Sequence, residues 1–169
     1  IMLEQQGKII ILLPGPPREM LPMLKAQVIP LLREKLQEKG SLAVLRSKVL
    51  RVIGLGESTV AEMIKPLLEE QTNPTIAPLA KGWEVHLRLT ARGSSEEEVE
   101  ALLASKAGEI KKVLGYHIYG EDEEELELAV ARLLWQSGKT IALAESCSGG
   151  LLCHRLTNIP DSSRYMLAG

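Results

Sequence analysis

The chain has 169 residues, 45% hydrophobic and 25% charged, with a net charge of −2. That balance suits a soluble globular protein of one large or two small domains, and it supplies no global basic field for nucleic acid or an anionic membrane. Phenylalanine is absent, aromatics make up only 3%, and no apolar run approaches the ~20 residues of a membrane span, so the cores must rest on Leu, Ile, Val, Ala and Met.

Ile1 to Gly7 lacks the basic start and long apolar core of a signal peptide. It reads as the middle of a longer chain, and both ends are expected to be cuts from a longer protein. Lys8 to Leu13 predicts a strand buried on both faces, ended by Pro14, Gly15, Pro16 and Pro17. A helix from Arg18 to Lys39 follows, with Met20, Leu24, Val28, Leu31 and Leu32 on one stripe. Pro22 and Pro30 each remove a backbone donor, which predicts a kink or an irregular turn. Gly40 is the expected stop. One strand and one helix read as the end of an α/β domain, residues 1–40.

Residues 41–120 read as a complete unit. Leu45–Ile53 predicts a strand, Gly54 to Gly56 a turn, and Ser58 a helix cap. Val60, Met63, Ile64, Leu67 and Leu68 line one helical face, bent at its end by Pro66. Thr75–Leu79 predicts a strand. Lys81 and Gly82 turn a hairpin into a half-buried strand on which Trp83, Val85, Leu87 and Leu89 alternate with polar residues. Ser94 and Ser95 stand three residues before Glu97 and Glu98, a capping-box spacing. Val99, Leu102, Leu103, Ile110, Val113 and Leu114 follow at helical period, Gly115 stops the helix, and Tyr116–Tyr119 is a last short strand. The order β-α-β-β-α-β predicts a split-βαβ sandwich with both helices on one face.

Gly120 to Glu125 is a charge run, read as a solvated helix start favoured by the macrodipole, with a cation site as the sharper alternative. Leu126, Ala129, Val130, Leu133 and Leu134 give that helix its stripe, and Gly138 and Lys139 end it. Residues 121–169 thus open a third, α/β-type domain.

Its strand, Ile141–Ala144, stops at Glu145, Ser146, Cys147, Ser148, Gly149 and Gly150, where a helix begins. Three readings of that junction stand open. Ser146 or Ser148 caps the helix. Ser148, Gly149 and Gly150 cradle a phosphate with their amides. Or Ser146 or Cys147 is a nucleophile over an oxyanion hole. The motif is no G-x-S-x-G elbow, because Ala144 and Ser148 occupy the glycine positions, and no Lys stands three residues after Ser146. His154 reads as structural or exposed. Cys147 and Cys153 read as reduced thiols.

Pro14, Gly15, Pro16, Arg18 and Glu19 form a second strand–turn–helix junction. It is either a rigid turn or a ligand edge in which Arg18 meets phosphate and Glu19 a metal or water. Arg46, Lys48 and Arg51 on one strand, with His86, Arg88 and Arg92 on another, outline a weak basic face. It has no clamp loop between helices and no aromatic platform.

Together these motifs resemble the CinA family of bacterial competence/damage-inducible proteins. Leu13 to Met20 looks like the end of that family's molybdopterin-binding-like domain. Gly54 to Ser58, Asn73 to Pro78 and Tyr119 to Asp122 look like its KH-type middle domain and the following linker. Ala144 to Gly150, Leu156 to Pro160, Ser162 and Ser163 look like the start of its C-terminal deamidase domain. The family usually has Thr at position 148 and Gly at position 161, here Ser148 and Asp161.

The resemblance implies a bifunctional enzyme. Its C-terminal domain hydrolyses the amide of nicotinamide mononucleotide, and its N-terminal domain hydrolyses the pyrophosphate of ADP-ribose with a divalent metal. Carried over, Ser146 attacks the carboxamide carbon. Glu145, Cys147, Ser148, Gly149 and Gly150 contact substrate or oxyanion there, and Pro14, Gly15, Pro16, Arg18 and Glu19 contact nucleotide in the other domain. The activating Tyr and Lys are expected after Gly169 and the metal-binding acids before Ile1, with no metal ligand in this chain. The isolated chain is therefore expected to be inactive. A cytoplasmic homodimer without membrane or nucleic-acid partners completes the expectation. A KH-like nucleic-acid module, or a spacer without catalysis, is the alternative.

Overall fold

The computed structural model describes residues 1–38 and 43–169. Gly40, read as the helix stop, lies outside the described residues, as does the 40/41 boundary. The chain divides into two compact units, Ile1–Val44 and Leu45–Gly169.

The first unit opens with an antiparallel hairpin of β1 (Met2–Gln5) and β2 (Lys8–Ile11), in register from Met2 opposite Ile11 to Gln5 opposite Lys8. Gln6 and Gly7, at φ 51° and 73°, turn it with the positive φ pair that matches strand twist. The strand expected to be buried on both faces is instead one arm of a two-stranded ribbon. Ile10 is 56% and Leu12 61% exposed, because two strands give each side chain few neighbours. The single predicted helix is three segments: α1 (Pro17–Met23), a π-helical stretch Leu24–Val28 and α2 (Ile29–Glu38). Pro30 has no N–H to continue the ladder, and the Ile29 amide reaches back five residues to the Leu24 carbonyl. The expected irregularity is there.

In the second unit, β3 (Val44–Ile53), β4 (Thr75–Lys81), β5 (Glu84–Gly93) and β6 (Ile118–Glu121) form one sheet in the order β4-β5-β3-β6. Between them run α3 (Glu57–Met63), α4 (Lys65–Glu69) and α5 (Glu96–Leu114). This is the split-βαβ arrangement, a mixed fold of helix and open sheet. Val85, Leu87, Leu89 and Ala91 point into the core against Val99, Leu103, Ala107, Ile110 and Leu114 of α5, and Val60 and Ile64 of α3 join them. Burying each of the larger side chains contributes about 1.5–3 kcal/mol. Ser95 Oγ accepts the Glu98 amide, while the Glu98 carboxylate takes the Ser94 amide at 2.7 Å, so the expected capping box forms.

Several local expectations change. Trp83 lies in the hairpin turn and is 95% exposed, because pairing between β4 and β5 ends at Lys81 and Glu84. Ser58 caps nothing: Gly56 precedes α3 with no side-chain cap, and the neighbouring Glu57 carboxylate takes the Ala80 amide of β4 at 2.9 Å. Met63, Val113 and Leu133 sit at the solvent edge of their stripes, while Ala131 is fully buried. The charge run divides between two elements: Glu125 stands at the N-cap position of the helix that follows, Leu126–Ser137, as expected of a solvated helix start, whereas Gly120 and Glu121 end the last strand of the sheet. Glu121 belongs to β6 and ion-pairs with Lys48 at 2.8 Å and with Lys111, and Asp122 Oδ1 accepts the Val49 amide at 2.9 Å. Opposite charges on β3 and α5 hold it in place.

Beyond it, α6 (Leu126–Ser137) ends at the left-handed Gly138. Next come β7 (Ile141–Ala142), α7 (Leu151–Thr157) and β8 (Met166–Ala168), with β8 parallel to β7. Ala131, Leu156 and Tyr165 form the small core of this region. The Tyr165 hydroxyl donates to the Leu156 carbonyl at 2.6 Å, and Trp135 meets the Tyr165 ring edge-on at 5.8 Å. Among the described residues no helix is long and apolar enough to cross a membrane.

Candidate functional site

The strand–helix junction at β7 and α7 is a closed turn. Leu143 donates to the Ala168 carbonyl at 2.9 Å as the last rung beside β8, and the chain then leaves the ladder. Glu145 is half-buried, while Ser146, Cys147, Ser148 and Gly149 are exposed. The Gly149 amide donates to the Ser146 carbonyl and the Leu151 amide to the Ser148 carbonyl, each at 3.1 Å. Gly149 and Gly150 have φ of 61° and 85°, a conformation that L side chains rarely adopt. The amides of Cys147, Ser148 and Gly150 have no hydrogen-bond partner among the described residues.

Glu145 reaches across this turn. Its Oε1 accepts the Cys153 amide at 2.8 Å and its Oε2 the Leu152 amide at 2.9 Å. Those donors, with the Cys153 thiol and the Ser148 hydroxyl, hold its carboxyl down to about 2, since each stabilises the charged form. The same carboxylate pushes the Cys153 thiol above its ordinary range, so Cys153 stays a neutral thiol at neutral pH. His154 is turned along α7, its Nε2 3.2 Å from Asn158 Nδ2.

Of the sequence-derived candidates, the structure brings Glu145 to Gly150 into this one turn. Pro14, Gly15, Pro16, Arg18 and Glu19 belong to the other compact unit. There Pro16 precedes α1, its carbonyl accepts the Glu19 and Met20 amides at 3.0 Å, and Arg18 and Glu19 project as exposed side chains. Among the described residues, no group of three or more His, Cys, Asp or Glu side chains is placed to hold a metal ion.

Part of the basic face is paired with acids within the fold. Arg46 pairs with Glu96 and Lys48 with Glu121, while Arg51 lies 4.0 Å from Glu84 and its Nε donates to the Asp122 carbonyl at 2.7 Å. Sequence reasoning missed the cluster around Glu84, which accepts from Tyr119 Oη at 2.7 Å and lies 3.0 Å from His86 Nε2. No sequence spacing links residues 35 positions apart. It also missed the reach of Glu145 onto α7, for which an acid just ahead of a helix start was the available signal.

Residues 47–120 match the family model described as the damage-inducible protein CinA KH domain. Residues 123–169 match that of the CinA C-terminal domain. A CinA-like protein of Dictyoglomus turgidum is 51% identical over 97% of this chain and 39% of its own length. A CinA-like protein of Kosmotoga olearia is 48% identical over 99% of this chain and 40% of its own. The chain thus spans about two fifths of the length of the curated relatives it matches. With two models of one family matched in sequence order over most of its length, this chain belongs to the CinA family.

Proposed function

We propose that the full-length protein is a bifunctional nucleotide hydrolase. It hydrolyses the carboxamide of nicotinamide mononucleotide through Ser146, and the pyrophosphate of ADP-ribose in its N-terminal domain with a divalent metal as cofactor. In this reading residues 1–40 close the N-terminal domain, 41–120 connect, and 121–169 open the deamidase domain of a cytoplasmic homodimer. One observation carries it: Ser146 is exposed in a strand–helix turn in which the Ser148 and Gly150 amides have no hydrogen-bond partner among the described residues.

Ser146 Oγ attacks the carboxamide carbon, and the tetrahedral oxyanion takes hydrogen bonds from those amides. The C–N bond breaks, ammonia leaves with the serine proton, and an acyl-serine remains. Water then cleaves that ester, giving nicotinate mononucleotide and restoring the hydroxyl. His154, facing Asn158, is not placed to take the proton, and the role falls to the Tyr or Lys that the family resemblance puts after Gly169. The internal pairing of Arg46, Lys48 and Arg51 favours a connecting role for the KH-type unit over a grip on nucleic acid.

The test is Ser146→Ala in the full-length protein, assayed for both activities. Ammonia release from nicotinamide mononucleotide is expected to fall at least about 1000-fold, with ADP-ribose hydrolysis kept within about twofold. Retained ammonia release refutes the assignment.

A further inference from the structure

We propose that Glu145 is the positioning residue of the Ser146 turn, tying it to the first backbone donors of α7 rather than serving as a substrate ligand or a base. This rests on the Ser146 reading above and deepens it. Glu145 immediately precedes Ser146, and its two carboxylate oxygens are held by consecutive amides, those of Leu152 and Cys153, at 2.9 and 2.8 Å. A carboxylate gripped at both oxygens has no free rotation left. It therefore closes the chain from Ser146 to Leu151 into a loop pinned at both ends.

That loop needs pinning. It contains two adjacent glycines in left-handed conformation, and its internal backbone bonds are one short turn at Gly149 and one at Leu151. Glycine loses more conformational freedom than any other residue when such a turn is fixed. The reaction needs the Ser146 oxygen and the Ser148 and Gly150 amides to converge on one carbonyl, so a loose turn costs rate rather than substrate affinity. The Leu152 and Cys153 amides hold both Glu145 oxygens toward α7. A carboxyl held at about 2 is also a poor general base near neutrality.

The test uses the full-length protein with Glu145→Gln and Glu145→Asp, reading amide hydrogen exchange over residues 146–153 together with kcat and KM for amide hydrolysis. Glutamine turns an NH2 toward one amide donor, whereas aspartate keeps charge and both acceptors on a shorter stem. Glu145→Gln is expected to speed exchange at Leu152 and Cys153, which donate to that carboxylate, about tenfold or more. Its kcat should fall about tenfold or more with KM within about twofold, and Glu145→Asp should recover part of both. Unchanged exchange overturns the proposal, and so does a raised KM with kcat kept. Should either variant fail to fold, the unmutated protein decides. Its Leu152 and Cys153 amides, both donating to the Glu145 carboxylate, should exchange more slowly than the unbonded amides of Cys147 and Ser148, and exchange as fast as theirs overturns the proposal. Ser146→Ala measured alongside separates the two ideas: if it stays active the nucleophile reading fails, while the exchange data still decide whether Glu145 holds the turn.

Discussion

Arg51 Nε donates to the Asp122 carbonyl at 2.7 Å, joining an inner strand of the KH-type sheet to the segment that leads into α6. Arg51 is the buried charged residue of the described core, 8% exposed, with Glu84 at 4.0 Å. Hydrogen bonding to Tyr119 and the nearby Glu84 charge raise its pKa further above its ordinary value. Arg51→Ala leaves the Asp122 carbonyl and part of the Glu84 carboxylate without a donor. It is expected to cost about 2–3 kcal/mol, read as a lower urea midpoint with an unchanged m-value.

Glu121 sets an acid-sensitive clasp. Lys111 and then Lys48 hold its carboxyl below the usual carboxylate range. A carboxyl depressed on folding stabilises the native state fully above its unfolded pKa, about 4.3, and loses that contribution as pH falls through the lower folded value. Stability measured by denaturant from pH 7 downward should therefore decline below about pH 4.5. Glu121→Gln should be less stable at pH 7 and show a shallower decline, and parallel pH curves would contradict this.

Asp161 stands at φ 62°, ψ 22°, just before the 3₁₀ turn Ser162–Arg164. This is the left-handed region, where a side chain costs energy and glycine does not. Asp161→Gly is expected to stabilise the protein by up to about 1 kcal/mol, seen as a raised thermal midpoint.

What the sequence made legible was whatever a period could carry. The alternation of Val85, Leu87 and Leu89 located β5, and the spacing of Val99, Leu103, Ile110 and Leu114 located α5. Ser95 with Glu98 placed a helix start because capping is local chemistry. β1 escaped notice because Met2 to Gln5 has no alternation and Gln6-Gly7 is a weak turn signal. The burial expected for Lys8 to Leu13 failed because a run of isoleucines reports propensity, not the number of neighbouring strands. At the site, the exposed Ser146 turn and its glycines were readable from the order of residues. The clasp of Glu145 on Leu152 and Cys153, and the Glu84–Tyr119–His86 cluster, arise only when folding brings separated positions together.

Ser146 and Cys147 are adjacent, both exposed, and both nucleophile candidates. The most direct test of the account measures ammonia release from nicotinamide mononucleotide by full-length protein carrying Ser146→Ala or Cys147→Ala. The account predicts that Ser146→Ala abolishes turnover while Cys147→Ala keeps it within about fivefold; loss of turnover in Cys147→Ala with activity retained in Ser146→Ala would contradict it.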